Sequence, residues 1–137
     1  MKKFNIYSQN NATLEFHEDS RGIIADVFFN TQIHHVAVVK TKSHSIRGNH
    51  YHKYSTQHML MTKGQMEYWY KPVGSLEPSQ MVMVKIGDVV STPPNEIHAL
   101  RYLDDEESEF IVFSEGPRGG GDYESDTFRV DSILDGQ

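Results

Sequence analysis

The feature that most constrains this chain is a succession of short runs in which apolar and polar residues alternate, each ended by a turn residue. Alternation with period two sends side chains to opposite faces of an extended strand, whereas an amphipathic helix needs apolar residues three and four apart. Helical spacing is scarce here. Strands are expected at Thr13–His17, Ile23–Phe29, His35–Thr41, Ser45–His52, Gln57–Thr62, Gln65–Lys71, Gln80–Ile86, Ile97–Tyr102 and Glu109–Ser114. Between them, Ser20-Arg21-Gly22, Lys63-Gly64, Val73-Gly74-Ser75, Gly87-Asp88 and Pro93-Pro94-Asn95 supply residues suited to tight turns. Many short strands at this spacing predict an all-β sandwich or barrel.

A length of 137 residues suits one core, so one domain over 1–137 is expected, with its core at 13–114 and an acidic, glycine-rich tail at 115–137. The end of that tail is compatible with a short strand or a helical turn. The absence of cysteine excludes disulfides, thiolate catalysis and cysteine-bound zinc or iron–sulfur clusters. No apolar run approaches the roughly 20 residues that span a bilayer, and no secretory signal opens the sequence. A cytoplasmic location without a membrane partner is therefore expected. Thirteen basic against 19 acidic residues give a net charge of −6, which argues against wrapping nucleic acid.

The charge is unevenly spread. No carboxylate lies between Asp26 and Glu67, a stretch that holds Lys40, Lys42, Arg47, Lys53, Lys63 and six of the eight histidines. From Asp104 to Asp126 acids dominate, and Arg118 is the single base. The acid-free stretch can build an anion-attracting pocket or one solvated face of two. Asp104-Asp105-Glu106-Glu107 reads as a solvated loop, and Met59, Met61, Met66, Met81 and Met83 as adaptable packing.

Histidine spacing is more specific. In Arg47-Gly48-Asn49-His50-Tyr51-His52-Lys53-Tyr54-Ser55-Thr56-Gln57, His50 and His52 share one strand face. Gln57 follows five residues later and Gly64 seven beyond that, while Gly87, Pro93, Asn95 and His98 form a second cluster. Together these resemble the two motifs of the cupin superfamily, with Gln57 where Glu is usual. The resemblance covers roughly Asp19 to Ser114 and implies a cupin-type double-sheet jelly-roll barrel with its site inside. Asp19-Ser20-Arg21-Gly22 and the Arg47–Lys53 stretch are similar to the nucleotide-sugar branch. That branch contains the dTDP-4-dehydrorhamnose 3,5-epimerases, the dTDP-sugar 3,4-ketoisomerases and the cupin domain of capsular-polysaccharide reductases. The sequence departs from the ketoisomerases at Ile97, where they tend to carry Trp, and only partly echoes their aromatic tail with Asp122-Tyr123 and Phe128.

The resemblance implies an isomerase or epimerase moving a proton on a nucleoside-diphosphate keto-deoxy sugar in surface-glycan biosynthesis, without a cofactor, and a homodimer. Histidine, with an ordinary pKa near 6.5, suits such a transfer at neutral pH. His50 is the candidate base, with His52 or Tyr70 returning the proton. Gln57 can orient an imidazole without adding charge. Arg47, then Arg21, then Lys53 are candidates for the diphosphate, since guanidinium forks match its oxygens. Tyr68, two residues from Tyr70, shares its face and offers a flat surface to a base or sugar; Trp69 faces the other way. The alternative is one divalent ion (zinc, iron, manganese or nickel) on His50, His52, Gln57 and His98, as in a dioxygenase or lyase. A non-catalytic sugar-binding module is the third reading.

Overall fold

The computed structural model describes residues 1–8, 13–117 and 124–137. The glycine run at 119–121, together with Arg118 and the Asp122-Tyr123 pair, lies outside the described residues. Two five-stranded sheets make up the body. The first runs in spatial order β1 (Lys2–Asn5), β9 (Asp88–Thr92), β6 (Thr56–Lys63), β11 (Ser108–Glu115) and β4 (His35–Thr41). The second runs β12 (Phe128–Arg129), β5 (Ile46–Tyr51), β10 (Glu96–Arg101), β7 (Met66–Pro72) and β8 (Gln80–Val84). A hairpin of β2 (Phe16–Asp19) and β3 (Gly22–Ala25) forms a separate two-stranded sheet. All pairings are antiparallel. This is the all-β sandwich that alternation predicts, in the jelly-roll form that the cupin resemblance implies.

The alternating residues of both sheets meet between them. Met59, Met61, Met66, Tyr68, Val84, Val90, Leu100, Tyr102, Phe110 and Val112 form the inner core, so methionines do fill the barrel, whereas Met81 faces outward and is exposed. On the opposite face of the second sheet, Ile97 and Ala99 are covered by Ile133 and Leu134, with Trp69, Tyr51 and Val130 packed beside them. The tail end is therefore both a strand and a turn: β12 pairs with β5, and a 3-10 turn follows at Leu134–Gly136. Arg101 holds that turn down, donating to Asp135 at 2.9 and 3.2 Å and to Glu67 at 2.7 Å.

Candidate functional site

β5 and β10 lie side by side, and their register sets His50 directly opposite His98, with a bulge between His98 and Ala99. Gly48 makes this close approach feasible. Its φ is +89°, and a Cβ there would stand 2.6 Å from the His98 carbonyl oxygen. The third imidazole, His52, projects just beyond β5. The ring of His50 lies 4.7 Å from that of His98 and 5.0 Å from that of His52, centroid to centroid.

Hydrogen bonds assign the protons. His98 Nδ1 donates to the Glu96 carbonyl at 3.3 Å, which leaves Nε2 of His98 as an acceptor. His50 Nε2 stands 3.1 Å from it and is then the donor. His52 Nδ1 donates to the Asp126 carbonyl at 2.8 Å, so its Nε2 carries the lone pair. Burial, with His50 and His52 alongside, holds His98 well below the ordinary imidazole value. It is neutral at neutral pH.

A cavity of about 390 Å³ opens beside these rings, lined by His50, His52, His98 and Gln57 among polar groups and by Met59, Leu100 and Val112 among apolar ones. Two guanidiniums stand along it. Arg47 is anchored by Nε to Thr41 Oγ1 at 2.8 Å, and Arg129 is paired with Glu124 at 3.0 and 3.1 Å. Convergent polar groups in an apolar-lined cleft of this size are what a small-molecule site requires.

Other expected site residues lie elsewhere. Tyr68 shares the inner face with His98, its ring parallel at 6.1 Å, but it is fully buried and its hydroxyl is engaged by Thr92 and Glu96. Burial pushes that phenol well above its ordinary pKa. Tyr68 packs against His98 and is not among the residues that line the cavity. Tyr70 pairs with His98 in register, its hydroxyl turns to Gln80 Oε1 at 2.9 Å on the β8 edge, and it is not among the residues that line the cavity. Arg21 is at the hairpin turn, ion-paired with Asp19 at 2.7 Å, in a separate shallow pocket with Ile23 and Ile24. The Lys53 ammonium stands 4.3 Å above the Phe128 ring. Neither Arg21 nor Lys53 is among the residues that line the cavity of the three histidines.

Sequence reasoning missed the tail's contribution, for Glu124, Thr127 and Arg129 all line the cavity. Asp126 is buried, and its carboxylate accepts the backbone N–H groups of Lys53, Tyr54 and Ser55 at 2.9, 3.1 and 2.9 Å. Burial alone would raise its pKa, but those N–H bonds outweigh burial and hold it below the ordinary carboxylate value. A lone Asp in an acidic stretch carries no sequence signal of such a partner.

The donor set fits a metal ion. Candidate ligand atoms of His50, His52 and His98 lie within 4.8 Å of one another. The 3.1 Å separation of two of them is near the roughly 3.3 Å edge that zinc–nitrogen bonds of about 2.0–2.1 Å give in a tetrahedron. Gln57, at the same cavity, offers only a neutral carboxamide oxygen. An ion held by three neutral imidazoles would take the lone pair that His98 now uses to accept from His50.

A family model described as polysaccharide biosynthesis C-terminal domain matches residues 17–116. No curated protein matches the chain in sequence. Among solved structures, the capsular polysaccharide assembling protein CapF from Staphylococcus aureus aligns with a TM-score of 0.64 at 21% identity, over 87% of this chain and 34% of its own. The present chain thus spans about a third of that protein. A 3,4-ketoisomerase from Helicobacter canadensis aligns with a TM-score of 0.72 at 16% identity, over 94% of this chain and 90% of its own. A dTDP-4-dehydrorhamnose 3,5-epimerase from Sulfolobus tokodaii gives 0.65 at 17% identity, over 84% and 72%. At these identities the likeness establishes the jelly-roll fold. No helix among the described residues is long and apolar enough to cross a membrane.

Proposed function

The chain belongs to the polysaccharide biosynthesis C-terminal domain family, and from that premise we propose that it catalyses proton transfer on a nucleoside-diphosphate keto-deoxy sugar, as an isomerase or epimerase. The observation that carries the reading is the His50–His98 hydrogen bond set inside a cavity flanked by two guanidiniums. In a 4-keto sugar the C–H bond beside the carbonyl is acidified. His50 takes that proton on its second ring nitrogen; the C–H electron pair forms the new C=C bond, and the carbonyl π pair moves to oxygen. The imidazolium so formed keeps its Nε2–H bond to neutral His98, which becomes charge-assisted and stronger. Return of the proton to the former carbonyl carbon, as the adjacent hydroxyl gives its proton to the enolate oxygen and becomes the new carbonyl, isomerises the sugar; delivery of a proton from solvent to the opposite face of the first carbon epimerises it. The His50 imidazolium holds the proton for the isomerising return, and His52, whose Nε2 lone pair is set by the Asp126 carbonyl, accepts the proton of the substrate's adjacent hydroxyl and passes it on to the enolate oxygen. Arg47 and Arg129 would bind the diphosphate, a role supported by their place along the cavity.

The test is deuterium incorporation into a panel of dTDP-4-keto-6-deoxy sugars in heavy water. Exchange at the carbon beside the carbonyl is expected, with a loss of about 10²–10⁴-fold in His50→Gln, the usual worth of a general base. No exchange with any sugar would refute the enzymatic reading, and binding without exchange would leave a sugar-binding module. A second reading rests on the three-histidine cluster, which would hold a divalent ion such as zinc to polarise an oxygen of the substrate. Near-stoichiometric metal in protein purified without added ions would favour it. A homodimer in the cytoplasm completes the proposal; β4 is an edge strand whose Val36 and Val38 are 57% and 59% exposed, a surface that a second copy can cover.

A further inference from the structure

We propose that Asp126 is a positioning residue that presets His52, so that the chain beyond the family-matched residues completes the cavity. The family match ends at residue 116, and the cavity wall formed by Glu124, Thr127 and Arg129 comes after it. Asp126 lies between Glu124 and Thr127 in the sequence and is not itself one of that wall's residues. Its carboxylate gathers three successive N–H groups from the turn that immediately follows His52, at 2.9, 3.1 and 2.9 Å. Without that acceptor those donors would need another partner, because a donor shielded from water and left unmet is costly. The clamp therefore ties residue 126 to residues 53–55, and the carbonyl of residue 126 comes to rest 2.8 Å from His52 Nδ1.

A carbonyl can only accept, so the bond selects the tautomer with the proton on Nδ1 and the lone pair on Nε2. The segment is docked on its far side as well. Phe128 stacks on Tyr51 at 5.3 Å, and Val130 N–H donates to the Asn49 carbonyl at 2.9 Å. Tautomer control of this kind is useful whether His52 moves a proton or holds an ion, because either task needs the same nitrogen bare. The assignment consequently stands apart from the reaction proposed above.

The test uses the full chain with ¹⁵N-labelled histidine and long-range ¹H–¹⁵N correlation at neutral pH, without substrate. The wild type should show His52 with a protonated Nδ1 and a bare Nε2. In Asp126→Ala that single-tautomer pattern should be lost, the two ring-nitrogen shifts converging as the forms interconvert. Asp126→Asn, which keeps an acceptor but no charge, should fall between. If the alanine variant does not fold, the asparagine variant carries the comparison. A proton on Nε2 in the wild type overturns the proposal, as does an unchanged His52 pattern in every folded variant. The patterns of His50 and His98 serve as internal references that a merely global loosening would also move.

Discussion

Replacing Gly48 with alanine tests how the two central strands bring the imidazoles together. Two costs can be read from the geometry. At φ +89° an L side chain is strained, by about 1–2 kcal/mol for the left-handed region. The new methyl would also meet the His98 carbonyl oxygen at 2.6 Å and Ala99 Cα at 3.0 Å, closer than ordinary contact, and both obstacles are backbone. Overpacking of that sort costs about 1–3 kcal/mol. The total of about 2–5 kcal/mol is a large part of the 5–15 kcal/mol typical of a domain. At roughly 3–5 °C per kcal/mol for a chain of this size, the melting temperature should fall by about 6–25 °C. Gly74→Ala is the control, because its φ is +80° but nothing lies within 4 Å of the added carbon. It should cost only the conformational part, about 1–2 kcal/mol. Urea unfolding of both variants separates the terms. Equal destabilisation would refute the contact argument, since the clash with β10 is what distinguishes the two positions. Relief of the clash by strand separation should also lengthen the 3.1 Å His50–His98 contact, which ring-nitrogen shifts would report.

Acid should weaken the fold through His98. The folded state keeps this residue neutral while the unfolded chain takes up a proton near pH 6.5, so the stability it confers is intact above that pH and declines as pH falls below it, by up to about 1.4 kcal/mol per pH unit. His98→Gln should flatten that slope of urea midpoint against pH, and an unchanged slope would contradict the assignment. At the alkaline end, burial raises Tyr68 well above 10 and Tyr102 to about 12. Both phenols keep their protons in the folded state where the unfolded chain has lost them, so stability falls as pH rises from 10 toward 12; ultraviolet titration of the folded protein should show Tyr102 ionising only near pH 12 and Tyr68 not before unfolding. Arg101→Ala should cost about 1–3 kcal/mol, because the buried Glu67 carboxylate would retain only the Trp69 indole donor. Amide exchange at Ile133 and Leu134 would reveal the loosened C-terminal turn, and unchanged protection there would deny Arg101 its anchoring role.

Where one strand face is buried and the other is not, the sequence spells the strand out. β4 runs over His35–Thr41 as alternation predicts, and the strands around Gln57–Thr62 and Glu109–Ser114 are each longer by a residue or two at their ends. β9 escaped that reading because Val89 and Val90 are both buried, so the pattern has no polar beat. The N-terminal hairpin is shifted to Phe16–Asp19 and shortened to Gly22–Ala25; its Ile23 and Ile24 are 50% and 64% exposed, so burial imposes no register there. At the site, alternation put His50 and His52 on one face, and the cupin resemblance implied the meeting with His98 that the structure has. Alternation also put Tyr68 and Tyr70 on one face and Trp69 on the other, but it cannot say which face is inner, nor which inner residues are core and which border a void. The tail's role depended on backbone N–H groups after His52, which no residue identity discloses.

Strand order has a consequence for the time the molecule needs to assemble. Among the described residues only β2–β3 and β7–β8 join strands adjacent along the chain; the other ladders connect segments far apart, such as β1 with β9 and β11 with β4. Such topologies must close long loops before most pairings gain anything, and they fold in roughly milliseconds to seconds rather than microseconds. His50 and His98 are 48 residues apart and His52 and Asp126 74 apart, so chemical competence arrives late, after the slowest closures are complete.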